Sequence, residues 1–248
     1  MATTLRRAVV TGGGRGIGRA CAAALSAAGH HVAILGRKEA PLKEAVASGV
    51  AAEYHLVDVT EESSLAGCLA TLGAVDILVN NAGIADSAPI AKTDVAFFRR
   101  LMAVNFESAV IGVRAVLPGM VARKFGRIIS IASIAGLKGI PYASAYVASK
   151  HAVLGLTRSL ALEVARSGVT VNAVCPGYVD TDLVSEGAAR VAGITGRPVE
   201  EITRNFYRGN PQQRLITAEE VADAVLWLSG DLAASVNGQA IAISGGET

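Results

Sequence analysis

"VVTGGGRGIGRA" spans Val9–Ala20. Its reading decides the fold, because a β-branched run gives way to glycines and then to a helical pattern. Glycines let the backbone turn sharply and approach a pyrophosphate, and the helix N-terminus that follows favours negative charge. The spacing is T-G-x-x-x-G-x-G on Gly12, Gly16 and Gly18, not the literal G-x-G-x-x-G fingerprint. A glycine cluster alone is equally a plain tight turn, so its surroundings must decide.

Short β-branched runs alternate with helical stretches along the whole chain. The runs are 8–11, 31–35, 53–59, 76–81, 126–133, 170–176 and 240–244. Helical patterns fall near 17–28, 39–48, 61–73, 94–104, 107–124, 145–167 and 218–229. Several runs are apolar throughout, which suits strands covered on both faces. The series predicts an α/β fold with one doubly wound parallel sheet of about seven strands, Rossmann-type, flanked by helices. Thr217 and Glu220 read as a capping box, and Gly29, Gly168 and Gly230 stand where helices should stop. No repeat or linker divides the chain, so 1–248 reads as one dinucleotide-binding and catalytic domain. A Gly- and Arg-rich stretch at about 182–215 breaks the rhythm and reads as an irregular substrate lid.

Composition narrows the function. Of 248 residues, 51% are hydrophobic and 18% charged, enough apolar material for a well-buried core. The net charge of +2 without a basic block argues against nucleic acid. No uninterrupted apolar run approaches a membrane span of about 18–20 residues, and "MATTLRRAVV" lacks the apolar h-region expected of a signal peptide. Three cysteines and four histidines lack metal spacing, so no metal site is expected. A cytoplasmic location follows as an expectation.

The second strand supplies a test of cofactor type. NAD-binding versions of this unit end strand two in Asp or Glu, which holds the ribose 2′-OH. Here "AILGRKEA" puts Gly36 at that point, followed by Arg37, while Arg15 sits in the glycine turn. Two guanidiniums suit a 2′-phosphate, so NADP(H) is favoured and NAD(H) stays open.

"ASAYVASKHAV" (Ala143–Val153) carries Tyr146 and Lys150 four residues apart, on one face of a helix. A neighbouring ammonium is expected to bring the phenol toward working pH, fitting it for proton transfer.

Together these motifs make the chain resemble the short-chain dehydrogenase/reductases over essentially its full length, and among them the 3-oxoacyl thioester reductases acting on acyl carrier protein or CoA. The matching stretches are "TGGGRGIG", "NNAG" (Asn80–Gly83), Asn105 in "MAVNF", Ser133 in "SIASIAG", "YVASK" and "CPGYVDT" (Cys175–Thr181). The resemblance implies that Tyr146 is the general acid or base and that Lys150 also bonds the nicotinamide ribose. Ser133 should donate to the substrate oxygen, and Asn105 should position a water that relays protons to Lys150. By the same resemblance Gly12, Arg15, Gly16, Ile17, Gly18 and Arg37 hold the phosphates. Asp58 and Val59 take adenine, Asn81, Ala82 and Gly83 line the adenosine ribose, and Pro176, Gly177, Val179 and Thr181 hold the carboxamide. The pro-S hydride would be transferred.

The leading function is therefore an NADP(H)-dependent oxidoreductase of a carbonyl and secondary alcohol pair, with a small-molecule or acyl-thioester substrate. An NAD-dependent hydroxyacyl or alcohol dehydrogenase is the second reading. A non-catalytic dinucleotide-binding scaffold is the third; such relatives are expected to lose Tyr, Lys or Ser. Arg190, Arg197, Arg204, Arg208 and Arg214 in the lid would suit an anionic acyl carrier. The resemblance also implies a homotetramer, with "AIAISGGET" reaching a neighbouring subunit.

Overall fold

A computed structural model describes residues 5–248. Seven parallel strands form one sheet in the order β3-β2-β1-β4-β5-β6-β7. They are β1 Arg7–Thr11, β2 His31–Gly36, β3 Glu53–Leu56, β4 Ile77–Asn80, β5 Gly126–Ile131, β6 Val169–Pro176 and β7 Ala240–Ile243. The strand order reverses between β1 and β4, which opens a crevice at their C-terminal ends.

Alternation along each strand divides the core between two faces. Ala8, Val10, Val32 and Ile34 pack with α1 (Gly16–Ala27), α2 (Glu39–Ala47) and α9 (Ala218–Ser229). Val9, Ala33 and Leu35 face the other way, onto α3 (Glu62–Thr71), α5 (Ser108–Arg123) and α6 (Ser144–Glu163). These strand residues are fully buried, which is why β1 and β2 read as continuous apolar runs.

α4 (Val95–Met102) runs into α5 through a π-helical segment, Ala103–Glu107. The joined run Val95–Arg123 is long and apolar enough by composition to cross a membrane, which qualifies the reading that no such run exists. Part of its surface is packed within the domain: α4 lies on α6, and α5 on α3, β4 and β5.

The capping box at Thr217 forms, with Glu220 N–H donating to Thr217 Oγ1 at 3.2 Å. Gly29 and Gly168 take the left-handed φ of +89° and +75°.

One expectation is corrected. The stretch after Thr181 is not irregular: it forms α7 (Asp182–Thr195) and α8 (Val199–Tyr207). Leu183, Val184, Gly187 and Val191 lie at helical spacing and line one face, a period masked by the Gly and Arg content. Gly196 at φ +70° and Pro198 separate the two helices. The C-terminal tail is held against its own chain at two points. Lys138 Nζ lies 2.9 Å from Glu247 Oε1, and Gly245 packs against Asn210 so closely that a Cβ would meet its side chain.

Candidate active site

The turn between β1 and α1 is shaped by glycine. Gly12 and Gly16 hold φ of +67° and +52°, a region L side chains avoid. A Cβ on Gly18 would lie 2.3 Å from the Gly12 carbonyl oxygen, so the helix start and the turn touch through bare backbone. α1 carries no acidic residue in its first turn, leaving its N–H groups and dipole unopposed for an anion. These features fit the pyrophosphate of a dinucleotide.

A cavity of about 660 Å³ runs from this turn along the crevice to α7 and α8. Every site residue expected from the sequence lines it, except Asn105. One end, beside the glycine turn, carries Arg15, Arg37, Asp58 and Val59; the opposite end carries Ser133, Tyr146 and Lys150.

Two expected cofactor contacts have other partners as well. Arg37 lies 3.7 Å from Asp58, and Arg15 lies 3.3 Å from Glu186 and 3.9 Å from Asp182. These side chains are well exposed, so each pair contributes only about 0–1 kcal/mol and can exchange partners readily. The Asn81 side chain is occupied in structure: its Nδ2 donates to the Thr11 and Gly12 carbonyls at 2.9 and 3.2 Å. Its backbone is what remains for a ribose.

At the chemical end, Ser133 follows β5 and caps a short 3₁₀ turn, with its Oγ accepting from Ala135 N–H at 3.1 Å. Tyr146 and Lys150 sit on α6. Lys150 Nζ donates to the Ile131 carbonyl at 2.9 Å and lies 5.7 Å from the Tyr146 ring centre.

The electrostatics differ from expectation. Burial pushes the Tyr146 phenol up to about 12, against a smaller lowering by the Ser133 hydroxyl. Burial also brings the Lys150 ammonium down to about 8. The lysine does not lower the tyrosine through the protein's own groups, because it is turned toward Ile131 and is itself desolvated.

Asn105 lies in the π segment, buried behind the cavity wall. Its Oδ1 accepts from Ile84 N–H at 2.8 Å, and its Nδ2 donates to Ile84 O and Ser149 Oγ at 3.0 and 2.9 Å. A Cβ on Gly83 would lie 3.2 Å from Asn105 Oδ1 and 3.7 Å from Lys150 Nζ. Asparagine and lysine therefore face the same glycine, a placement compatible with a shared water.

Sequence reasoning missed several residues. Thr11 accepts backbone N–H groups from both Asn81 and Ala82 at 3.0 Å, joining β1 to β4. Ser149 orients Asn105. Tyr178 and Phe206 stack in parallel with centroids 5.0 Å apart, tying the chain after β6 to α8. The "TG", "YVASK" and "CPGY" motifs contained Thr11, Ser149 and Tyr178, but spacing gave no sign of their partners. The five arginines expected to meet an anionic carrier are the largest revision: of them, only Arg190 lines the cavity. Arg197 pairs with Glu201 and Arg214 with Glu220, each at 2.6 Å.

Comparisons with known proteins place the chain in a family. Residues 6–191 match the short chain dehydrogenase family. The chain is 40% identical over 257 residues to a D-beta-hydroxybutyrate dehydrogenase of Rhizobium meliloti, covering 98% of each. It is 37% identical over 255 residues to a 2-(R)-hydroxypropyl-CoM dehydrogenase of Xanthobacter autotrophicus, again covering 98% of each. Among solved structures, an actinorhodin polyketide ketoreductase with NADPH superposes at a TM-score of 0.94 and 34% identity, over 100% of this chain and 99% of that one. The protein belongs to the short chain dehydrogenase family and is an oxidoreductase acting on hydroxyl and keto groups.

Proposed function

We propose that the chain is an NADP(H)-preferring ketoreductase of 3-oxoacyl compounds, forming the corresponding 3-hydroxy product. The observation that carries the reading is one cavity with Ser133, Tyr146 and Lys150 at one end and Arg15 and Arg37 at the other. No acid stands at Gly36 to accept from a ribose 2′-OH. The relatives support the substrate class by name, a hydroxybutyrate dehydrogenase and a polyketide ketoreductase. The substrate end is largely apolar, with Ile84, Ile140, Leu183, Val184 and Phe206 on its walls, which suits an acyl chain.

A bound nicotinamide dinucleotide would exchange the hydride with the substrate's carbonyl carbon. The protein's share is proton and charge. Ser133 Oγ and the Tyr146 hydroxyl hold the carbonyl oxygen, and Tyr146 passes its proton to that oxygen as the C–O double bond becomes single. Its high proton affinity keeps the phenol in the donating form across the neutral range. Lys150 places positive charge beside the phenolate left behind and, with Asn105, connects it to the proton supply. A 3-oxo compound, NADPH and a proton thus give the 3-hydroxy compound and NADP⁺.

The pairs Arg37–Asp58 and Arg15–Glu186 favour a second reading, an NAD(H) enzyme, since they offset charge meant for a 2′-phosphate. Absorbance at 340 nm with each cofactor and a panel of 3-oxo acids, esters and thioesters tests both readings. Absence of turnover with every ketone would remove the proposal.

A further inference from the structure

Asp86 sits between two guanidiniums. Arg100 Nη2 on α4 lies 2.8 Å from its Oδ2, and Arg190 Nη1 on α7 bonds its Oδ1. Burial alone would raise the Asp86 carboxyl, but Arg100, the Ser87 N–H and Arg190 together hold it below the usual range. Two cations share one anion, so the cluster carries a surplus positive charge.

That surplus is placed at the substrate end. Arg190 and Asp86 line the cavity, and Arg190 shares its helix face with Leu183, Val184 and Gly187. Apart from Lys150, the other cationic side chains lining the cavity (Arg15, Arg37 and Lys38) belong to its cofactor end. Small residues flank the cluster: Ala85 precedes Asp86, and nothing lies within 4 Å of a Cβ built on Gly187.

We infer that Arg190 is the recognition residue for a carboxylate on the substrate, taking it by exchange with Asp86. The exchange is chemically balanced. When Arg190 turns to the substrate carboxylate, Asp86 keeps its 2.8 Å contact with Arg100 and is not left as a bare buried charge. A guanidinium bonds a carboxylate through two parallel N–H groups, which fixes the acid's orientation as well as its charge. The Arg190–Asp86 pair also fastens α7 across the cavity to the loop after β4. That enclosure favours a short free acid over an acyl chain carried on a long arm. This rests on the ketoreductase reading and narrows its substrate to a 3-oxo acid.

The test compares acetoacetate, its methyl ester and acetoacetyl-CoA as substrates with NADPH. Wild-type enzyme is expected to favour acetoacetate over the ester in kcat/KM by about tenfold or more. Arg190→Met should reduce that ratio at least about tenfold, mainly through KM for the acid, and Arg190→Lys should restore part of it. An ester used as well as the acid, a ratio untouched by Arg190→Met, or a preference for acetoacetyl-CoA would each overturn the carboxylate assignment while leaving the ketoreductase reading intact. Failure to reduce any ketone would instead overturn the function itself.

Discussion

Thr11 and Asn81 hold each other across the sheet's reversal point. Asn81 N–H donates to Thr11 Oγ1 at 3.0 Å, and Asn81 Nδ2 donates back to the Thr11 carbonyl at 2.9 Å. Adjacent strands ending in opposite helical crossovers are thereby joined just where the cofactor crevice opens.

Thr11→Val keeps the shape and removes the acceptor for Asn81 and Ala82. Leaving those donors unpaired should cost about 2 kcal/mol, seen as a lower midpoint in urea unfolding. Cofactor affinity should weaken in parallel, because Gly12 is fixed by the same asparagine.

Tyr146→Phe removes the proposed proton donor and almost no volume. kcat should fall at least about 10²-fold while cofactor fluorescence titration stays unchanged. Near-normal turnover would exclude Tyr146 as the acid.

The pH profile should follow Lys150. In the proposed mechanism reduction needs the Tyr146 proton and the Lys150 charge together, and the lysine is lost first, near pH 8 against about 12. kcat/KM for reduction should be level below about pH 8 and fall above it, while alcohol oxidation gains as the phenol's proton is more easily shed. For stability the two signs oppose. Lys150 binds its proton less tightly folded than unfolded, so its burial penalty is present below pH 8 and eases as pH rises from 8 toward 10.5. Tyr146 binds its proton more tightly folded, so its contribution is present below pH 10 and is lost as pH rises from 10 toward about 12.

NADPH should exceed NADPH's unphosphorylated counterpart in kcat/KM by on the order of tenfold, since each charge-assisted bond from Arg15 or Arg37 contributes about 1.5–3 kcal/mol before solvent screening. Gly36→Asp combined with Arg37→Leu should reverse the preference. A Cβ at Gly36 meets Leu42 at an ordinary 3.4 Å, so the new carboxylate can be accommodated. Equal use of both cofactors by the wild type would leave the arginines as surface residues.

A homotetramer is expected in sedimentation at micromolar concentration. Leu162 is 81% exposed on α6 and Leu232 92% exposed beyond α9, while Val121 and Trp227 are also open. Apolar side chains of this size on helices already packed against the sheet call for a second partner. A stable monomer would exclude it.

The parallel strand–helix alternation, the glycine turn and the Tyr146–Lys150 pair were legible because each is a matter of local period or short spacing. α7 and α8 were obscured where Gly187, Gly193 and the arginines suggested an irregular loop, although Leu183, Val184 and Val191 kept helical phase. Contacts between distant positions left no trace: Asp86 and Arg190 are 104 residues apart, and nothing in either neighbourhood names the other. The direction of the Tyr146 shift was also out of reach, since burial outweighs the nearby charge and burial belongs to the folded chain.

The π segment at Ala103–Glu107 acts on the helix as a phase shifter. A π turn closes i→i+5, holding about one residue more than an α turn, and one residue corresponds to about 100° of rotation. A single rod can therefore aim one stripe at α6 before the bulge and another at α3 and the sheet after it. Deleting any one residue there would be a timing error: one stripe must miss its neighbours, and Asn105 would be swept away from Ile84 and Ser149. Residue count in this segment should accordingly be guarded more strictly than residue identity, with Phe106→Leu tolerated and removal of Phe106 not.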